Sequence, residues 1–346
     1  MDINDRNIVT AVLVDKTDYG YALYAEIPQL TATSNNEGGQ KTKPIILKSE
    51  GRTFVETREN LDWKMDKPIY LGAVQTLILT EKLARYDVEE YVLRLRQTSD
   101  YRKTVHLVVT TSDPEQLLSD TPENAESVGF AIEQTLTSMI NTGQLYHISL
   151  IDVLQRLSSS YKQYLLPTVD LVDQEPCFTG FSVFSGGMKT AFIPASECKS
   201  IVFMHSKNAV ALYTVPYKDT SATLEVKLGK KNTTPYYVDG KISFDLVLAF
   251  KATLLYPAKA KPVTGTDIAV LQATLQAMLE KEFSEMFHKS QTEYKFDTFR
   301  LWSPFRITFP EDAKKMNWAG EYPNVSLNLS ISVELKPNAL VDYEEK

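Results

Sequence analysis

The chain has 346 residues, which is more than one ordinary hydrophobic core holds, so we expect two or three domains. Hydrophobic residues make up 43% of the chain and charged residues 23%, a composition that supports folded domains and excludes wholesale disorder. The formal net charge of −7 argues against nucleic acid as a partner and against electrostatic attachment to anionic lipid. This charge leaves open a covalent lipid anchor or a protein partner in a membrane.

Residues 1–112 predict an N-terminal α/β domain. Alternating apolar residues from Ile8 to Ile27, broken by a turn at 15–20, predict an opening β-hairpin, and the polar segment 31–43 predicts a mobile surface loop. From residue 44 to 109 the strand and helix patterns alternate, which is typical of an α/β layer. One of the predicted helices, 87–97, carries the signature of a capping box formed by Asp87 and Glu90.

Residues 113–205 predict a smaller α+β domain. Apolar residues at helical spacing between 128 and 139, and a helix start at Ser149, precede two strand-like runs joined at Gly186-Gly187. The two cysteines of the chain, Cys177 and Cys198, are too few for a disulfide scaffold and are interpreted as buried structural thiols. A disulfide between them is sterically conceivable and stays open.

Residues 206–346 predict a C-terminal domain in which an antiparallel sheet packs against a long helix. The helix is the clearest in the chain, with an apolar stripe over 266–289, and the last strand, 325–335, alternates between apolar and polar residues. The expected fold class is therefore α/β and α+β, in three mixed domains. No apolar run approaches the length of about 20 residues that a membrane span needs, and no export signal precedes the body, so we expect a cytosolic chain or one whose export segment has been removed.

No catalytic or metal-binding arrangement is recognisable in the sequence. The four histidines stand far apart, and none has a second ligand at metal-site spacing. The segment 185–190 superficially resembles a glycine-rich phosphate loop, but a strand rather than a helix follows it, which favours a hairpin turn. We predict a non-enzymatic protein without a cofactor, whose function lies on interaction surfaces.

Two groups of residues are candidates for such a surface. The first is a basic cluster in an otherwise acidic protein: Arg94, Arg96, Arg102 and Lys103. The second, the ring group, consists of Trp302, Phe305 and Trp318. Arginine and aromatic side chains are over-represented at binding hot spots. The alternative for the ring group is that it caps the end of the C-terminal sheet, because large rings are core residues first.

A resemblance to a known family extends over nearly the whole chain. The run KPIYLGAVQTLILTEKLAR at 67–85 resembles the GerAC-like C subunits of spore germinant receptors, which show Tyr/Phe-x-Gly-His, an apolar strand and Glu-x-Leu-Ala. The segments 4–6, 101–104 and 178–184 are similar to the residues after that family's lipidated cysteine, to its arginine-rich turn and to its Gly-x-Ala-Val-Phe strand. Ala73 stands where the family usually has histidine, and neither the N-terminal cysteine nor the Arg-x-Gly ending after Leu335 is present.

The resemblance implies a lipoprotein that is held by an N-terminal diacylglyceryl cysteine at the outer face of the spore inner membrane. There it would work with an integral-membrane A subunit and a transporter-like B subunit, as the non-enzymatic C subunit of a nutrient germinant receptor. The alternative is an extracytoplasmic solute-binding protein or an enzyme with an unrecognised site. Such a protein needs a cleft of convergent polar groups among apolar walls.

Overall fold

The structure is a computed structural model that describes residues 5–28, 44–98, 100–119, 125–257, 263–337 and 343–344. The mobile loop predicted at 31–43 lies outside these residues. The chain forms two compact units: unit 1 contains Met1–Ser138 and His147–Ser196, and unit 2 contains Met139–Tyr146 and Glu197–Lys346.

Among the described residues, unit 1 contains ten strands and six α-helices. The strands are β1 (Asn7–Ile8), β2 (Ala11–Lys16), β3 (Tyr21–Ile27), β4 (Ile45–Gly51), β5 (Ile69–Tyr70), β6 (Thr76–Thr80), β7 (His106–Thr110), β8 (Gln163–Val172), β9 (Glu175–Ser185) and β10 (Met188–Pro194). The helices are α1 (Phe54–Asp62), α2 (Glu81–Tyr86), α3 (Glu89–Gln97), α4 (Pro114–Ser119), α5 (Val128–Asn141) and α6 (Leu150–Leu157).

One eight-stranded sheet, in the order β10-β9-β8-β7-β6-β2-β3-β4, organises unit 1. Its central strands β2, β6, β7 and β8 run parallel, and antiparallel strands flank them on both sides. Every residue of β6 and β7 is buried, as in parallel sheets that are covered on both faces. The domain boundary predicted at residue 112 falls between β7 and β8, which pair through Val109 and Thr168 in this sheet.

Glu26, on β3, is fully buried and caps the N-terminus of α5. Its carboxylate accepts hydrogen bonds from the backbone N–H groups of Val128 (2.7 Å) and Gly129 (3.0 Å) and from the hydroxyl of Thr10 (2.9 Å). The first N–H groups of a helix lack partners inside the helix, and the helix dipole favours a negative charge beside them. A Cβ at residue 129 would lie only 2.5 Å from the carbonyl oxygen of Thr10. Glycine is therefore needed for the start of α5 to lie this close to the backbone of Thr10.

Unit 2 combines a four-stranded sheet with one long helix. Its strands are β11 (Val210–Tyr217), β12 (Thr220–Val238), β13 (Lys241–Pro257), β14 (Val263–Thr264), β15 (Ser326–Pro337) and β16 (Tyr343–Glu344). Its helices are α7 (Lys199–His205), α8 (Gly265–Thr292), α9 (Trp302–Thr308), α10 (Pro310–Ala313) and α11 (Trp318–Glu321). The sheet order is β11-β12-β13-β15.

The predicted sheet with a long helix is confirmed in unit 2. Helix α8 begins with a capping box in which Thr264 and Asp267 bond each other's backbone N–H groups, and it buries a stripe from Leu271 to Met286. Strand β15 alternates between exposed polar and more buried apolar residues, as expected. The sheet is not wholly antiparallel, however: β15 pairs parallel to β13. Helix α8 lies between these two strands in sequence, and such a helical crossover connects parallel strands.

No disulfide joins Cys177 and Cys198, both of which belong to the described residues. Cys198 is buried, whereas Cys177 is half-buried. The buried structural role predicted from the sequence therefore fits Cys198 better than Cys177.

Replacement of Glu26 by glutamine tests the cap on α5. We expect Glu26→Gln to lower the free energy of unfolding by about 1–3 kcal/mol at about pH 5, because the amide NH₂ meets the helix donors. Burial raises the pKa of Glu26 in the folded protein. Its favourable contribution is therefore complete below the unfolded-state pKa and is lost as the pH rises through the folded-state pKa.

Urea unfolding at about pH 5 and about pH 8 checks this expectation. The stability difference between wild type and Glu26→Gln should shrink at the higher pH. Glu59→Gln, at an exposed position on α1, serves as the control and should change little at either pH. A difference that stayed constant across the two pH values would contradict a raised pKa for Glu26.

Candidate functional site

Lys103 of the basic cluster caps the C-terminal end of α3. Its Nζ donates hydrogen bonds to the carbonyl oxygens of Leu95 and Thr98, the second at 2.7 Å. The last carbonyls of a helix lack partners inside the helix, and a cation beside them complements the helix dipole. The half-buried Lys103 side chain therefore has a structural role of its own.

The three arginines of the basic cluster have different surroundings. Arg94 is half-buried, whereas Arg96 and Arg102 are exposed. Arg96 donates to the Ser158 hydroxyl at 3.2 Å, and Arg102 donates to the Gln75 side-chain oxygen at 2.9 Å. A guanidinium carries five N–H donors, so these contacts leave both exposed arginines able to bind a carboxylate of a partner. Their predicted role in an interaction stays a prediction.

The ring group lies in the core of unit 2. Trp302 is 9% exposed, Phe305 0% and Trp318 3%. The ring centroid of Trp318 lies 5.2 Å from that of Trp302 and 5.6 Å from that of Phe305. Tyr237 of β12 and Phe244 of β13 lie 5.9 and 6.5 Å from Phe305, so the rings cover this end of the sheet. The ring group therefore caps the end of the sheet, which is the alternative considered from the sequence. Its three rings are buried and are not exposed for contact with a partner.

A buried carboxylate holds the ring group together. Asp297 is 2% exposed and accepts hydrogen bonds from the backbone N–H groups of Leu301 (2.9 Å) and Trp302 (2.8 Å) and from the indole N–H of Trp318 (3.1 Å). Burial raises the pKa of Asp297. The carboxylate fixes the turn that leads into α9 and orients the indole, which is a structural use of a buried acid.

The turn at Gly186-Gly187 is a hairpin between β9 and β10, as predicted. The carbonyl oxygen of Gly187 accepts a hydrogen bond from Val88 N at 2.8 Å, and a Cβ at Gly187 would lie 1.7 Å from Asp87 Oδ1. The predicted capping box of Asp87 and Glu90 is absent, because Val88 is the N-cap of α3 and Asp87 accepts from Glu89 N instead. The hairpin occupies the space beside this helix start.

Two histidines that are distant in sequence lie together in unit 1. The His106 and His147 ring centroids are 5.4 Å apart, and burial, followed by the nearby His147, lowers the pKa of His106. Asp152 Oδ2 lies 4.0 Å from His147 Nδ1. Across the described ranges, no group of three or more His, Cys, Asp or Glu side chains is arranged to hold a metal ion. In the same residues, every helix is too short or too polar to cross a membrane.

Substitutions within the basic cluster separate capping from surface charge. We expect Lys103→Met to lower the free energy of unfolding by about 1 kcal/mol, because the α3 carbonyls lose a charged donor. Arg96→Met removes an exposed cation from the same cluster and should change stability by less than about 0.5 kcal/mol. Chemical denaturation of both variants provides the comparison. If both substitutions changed the free energy of unfolding equally, this result would contradict the capping role of Lys103.

A second pair of substitutions tests the polar anchor of the ring group. Trp318→Phe keeps an aromatic ring but removes the hydrogen-bond donor to Asp297. We expect this variant to lower the free energy of unfolding by about 1–3 kcal/mol. Trp63→Phe is the matched control, because Trp63 is 83% exposed. Thermal unfolding of both variants should show a lower midpoint for Trp318→Phe alone. A normal midpoint for this variant would show that the indole N–H is dispensable.

Comparison with known proteins identifies similar sequences over almost all of the chain. Residues 1–171 match the family described as "Spore germination protein N-terminal domain", and residues 179–337 match "Spore germination B3/ GerAC like, C-terminal". Spore germination protein B3 of Bacillus subtilis (strain 168) is 20% identical, over 96% of this chain and 91% of the relative. Spore germination protein KC of the same organism is 20% identical, over 98% of this chain and 91% of the relative.

A solved structure has a similar fold. The crystal structure of the GerBC protein superposes with a TM-score of 0.59 at 18% sequence identity, and the match covers 94% of this chain and 96% of that one. Because the sequence identity is this low, the structural similarity establishes the fold alone. The family relationship rests on the sequence matches over both halves of the chain.

Proposed function

The chain belongs to the GerAC-like family of germinant-receptor C-type spore germination proteins, and on this premise we propose that it acts without catalysis beside membrane A and B subunits. The observation that carries the proposal is the pair of family matches, which together span residues 1–171 and 179–337. The relatives are named as germination proteins, and their names give no catalytic activity. In this proposal the chain contributes to the response to nutrients through contacts on its surface.

The second part of the proposal is attachment to the outer face of the spore inner membrane through a lipid. The resemblance to the family supports a diacylglyceryl group on an N-terminal cysteine, which would be a residue additional to Cys177 and Cys198. The exposed arginines Arg96 and Arg102 are the proposed contact residues for a membrane subunit.

Nutrient-triggered germination tests the proposed function. In a spore former that carries the gene and lacks a paralogue, deletion should slow germination and the wild-type gene should restore it. Arg102→Glu should restore germination less well at equal protein level, because a carboxylate partner would be repelled. Arg306→Glu, at an exposed arginine in unit 2, is the matched control and should restore germination fully.

Each result bears on a different part of the proposal. Unchanged germination after deletion would remove the proposed role, and full rescue by Arg102→Glu would remove this arginine from the contact surface. Affinity purification of the tagged chain from spore membranes tests the partnership directly. The A and B subunits should be recovered with the wild type, and recovery of neither would contradict the assembly.

A further inference from the structure

Strand β15 forms one edge of the four-stranded sheet of unit 2. It pairs with β13 over all 12 of its residues, without a shift in register. No strand among the described residues pairs with its other side. Such an edge presents a row of unpaired backbone N–H and C=O groups, which is a template for pairing with another chain.

In unit 1, both edges of the eight-stranded sheet are protected against such pairing. Strand β10 has an irregular register with β9 and ends in Pro194. On β4, two carbonyl groups accept side-chain hydrogen bonds: Asn60 donates to Glu50 O at 2.8 Å, and Lys64 donates to Lys48 O at 2.6 Å. Bulges, proline and covered backbone groups are common protections of edge strands.

In unit 2, the two edges of the sheet differ. Strand β11 contains Pro216, and its Leu212 O accepts a hydrogen bond from Lys199 Nζ at 2.8 Å. Strand β15 contains neither proline nor a charged residue between positions 326 and 333. Its exposed side chains there are serine and asparagine, at positions 326, 328, 330 and 332. Of the four edges of the two large sheets, as far as the structure describes them, β15 alone lacks protection over this stretch.

Two glutamines of α8 limit the open part of the β15 edge. Gln272 Oε1 accepts a hydrogen bond from Leu335 N at 3.1 Å, and Gln291 Nε2 donates to Val325 O at 2.7 Å. Leu335 N therefore points away from β13. Because alternate residues of a strand direct their backbone groups to the same side, the odd-numbered residues of 327–333 also direct N–H and C=O groups to the free edge. This open run lies between the two glutamine bonds.

The open run is complementary to itself in an antiparallel arrangement. Its centre is Ser330, and a twofold axis at this residue places Leu329 opposite Ile331 of a second copy. The same axis places Leu327 opposite Val333. In both pairs the backbone groups face each other, so the open N–H and C=O groups all obtain partners. The apolar side chains of the two copies then share one face, and uncharged polar side chains oppose one another on the other face.

We propose that the β15 edge is a homodimerisation site, at which residues 327–333 of two copies of this chain pair as antiparallel strands about Ser330. The pairing joins two four-stranded sheets into one sheet of eight strands. A second copy fits this edge because the symmetric contact satisfies the open backbone groups and sets no like charges opposite each other. Glu334, the nearest charged residue, lies opposite Ser326. This contact is independent of the proposed lipid anchor and of the A and B subunits.

Engineered cysteines in a Cys177→Ser background test the register of this pairing. At the twofold axis the two copies of residue 330 form a non-hydrogen-bonded pair, whose Cα atoms lie about 4.5 Å apart, within disulfide range. Under mild oxidation, Ser330→Cys should form linked dimers at least about tenfold faster than Ser332→Cys. Ser332 is the matched control, because it is exposed on the same face and its counterpart lies four residues, about 13 Å, along the pair. Equal rates, or no link in Ser330→Cys, would overturn the proposal.

Sedimentation equilibrium of the purified whole chain tests the dimer without cross-links. In about 0.15 M salt, which screens the net charge of −7 on each copy, the wild type should dimerise reversibly. Ser330→Lys sets two ammonium groups opposite each other and should raise the dimer Kd at least about tenfold. Thr214→Lys adds the same charge at an exposed position on β11 and should leave the Kd unchanged. A wild type that stays monomeric up to about 1 mM, or an unchanged Kd for Ser330→Lys, would refute the homodimer.

Discussion

The contact between Glu26 and the start of α5 is the constraint on which the core of unit 1 depends. A buried helix N-terminus needs an acceptor, and Glu26 provides both carboxylate oxygens to its N–H groups. The first turn of α5 is also bonded to β6, where the Thr76 hydroxyl donates to Gly129 O at 3.0 Å. One polar cluster therefore fixes α5 against β3 and β6, and a glycine is required because the backbones approach so closely.

The elements of the fold could be predicted where the apolar residues alternate or recur with a clear period, and not where this pattern is missing. Helix α8 and strand β15 carry strong periodic patterns, because their apolar residues all point into one core. Strands β12 and β13 are 19 and 17 residues long and pair far beyond the apolar part, through Lys231 to Val238. In β12 this stretch is mostly polar and has no apolar alternation, so the sequence does not indicate how far the strand extends.

The candidate site shows the same limit in its side chains. Lys103 and Arg102 are adjacent in sequence, yet one caps a helix and the other is exposed. The ring group has the composition of a binding hot spot, and it is core because Asp297 and the sheet enclose it. The exposure of Trp63 could not be predicted from the sequence, since a tryptophan at the end of an amphipathic helix usually packs inward. Its exposure depends on where α1 ends relative to β4, which is a property of tertiary structure.

The distribution of buried charge supports the proposal that this chain functions through its surfaces. Glu26 and Asp297 are the kind of buried acids from which a catalytic site is built, and burial raises the pKa of both. Each is already bonded to the first N–H groups of a helix or of the turn before it, so its hydrogen-bonding capacity serves folding. The groups with capacity to spare are exposed: the guanidinium of Arg102, the ammonium of Lys64 and the indole of Trp63. A partner can therefore contact these groups without breaking the buried hydrogen bonds of Glu26 and Asp297.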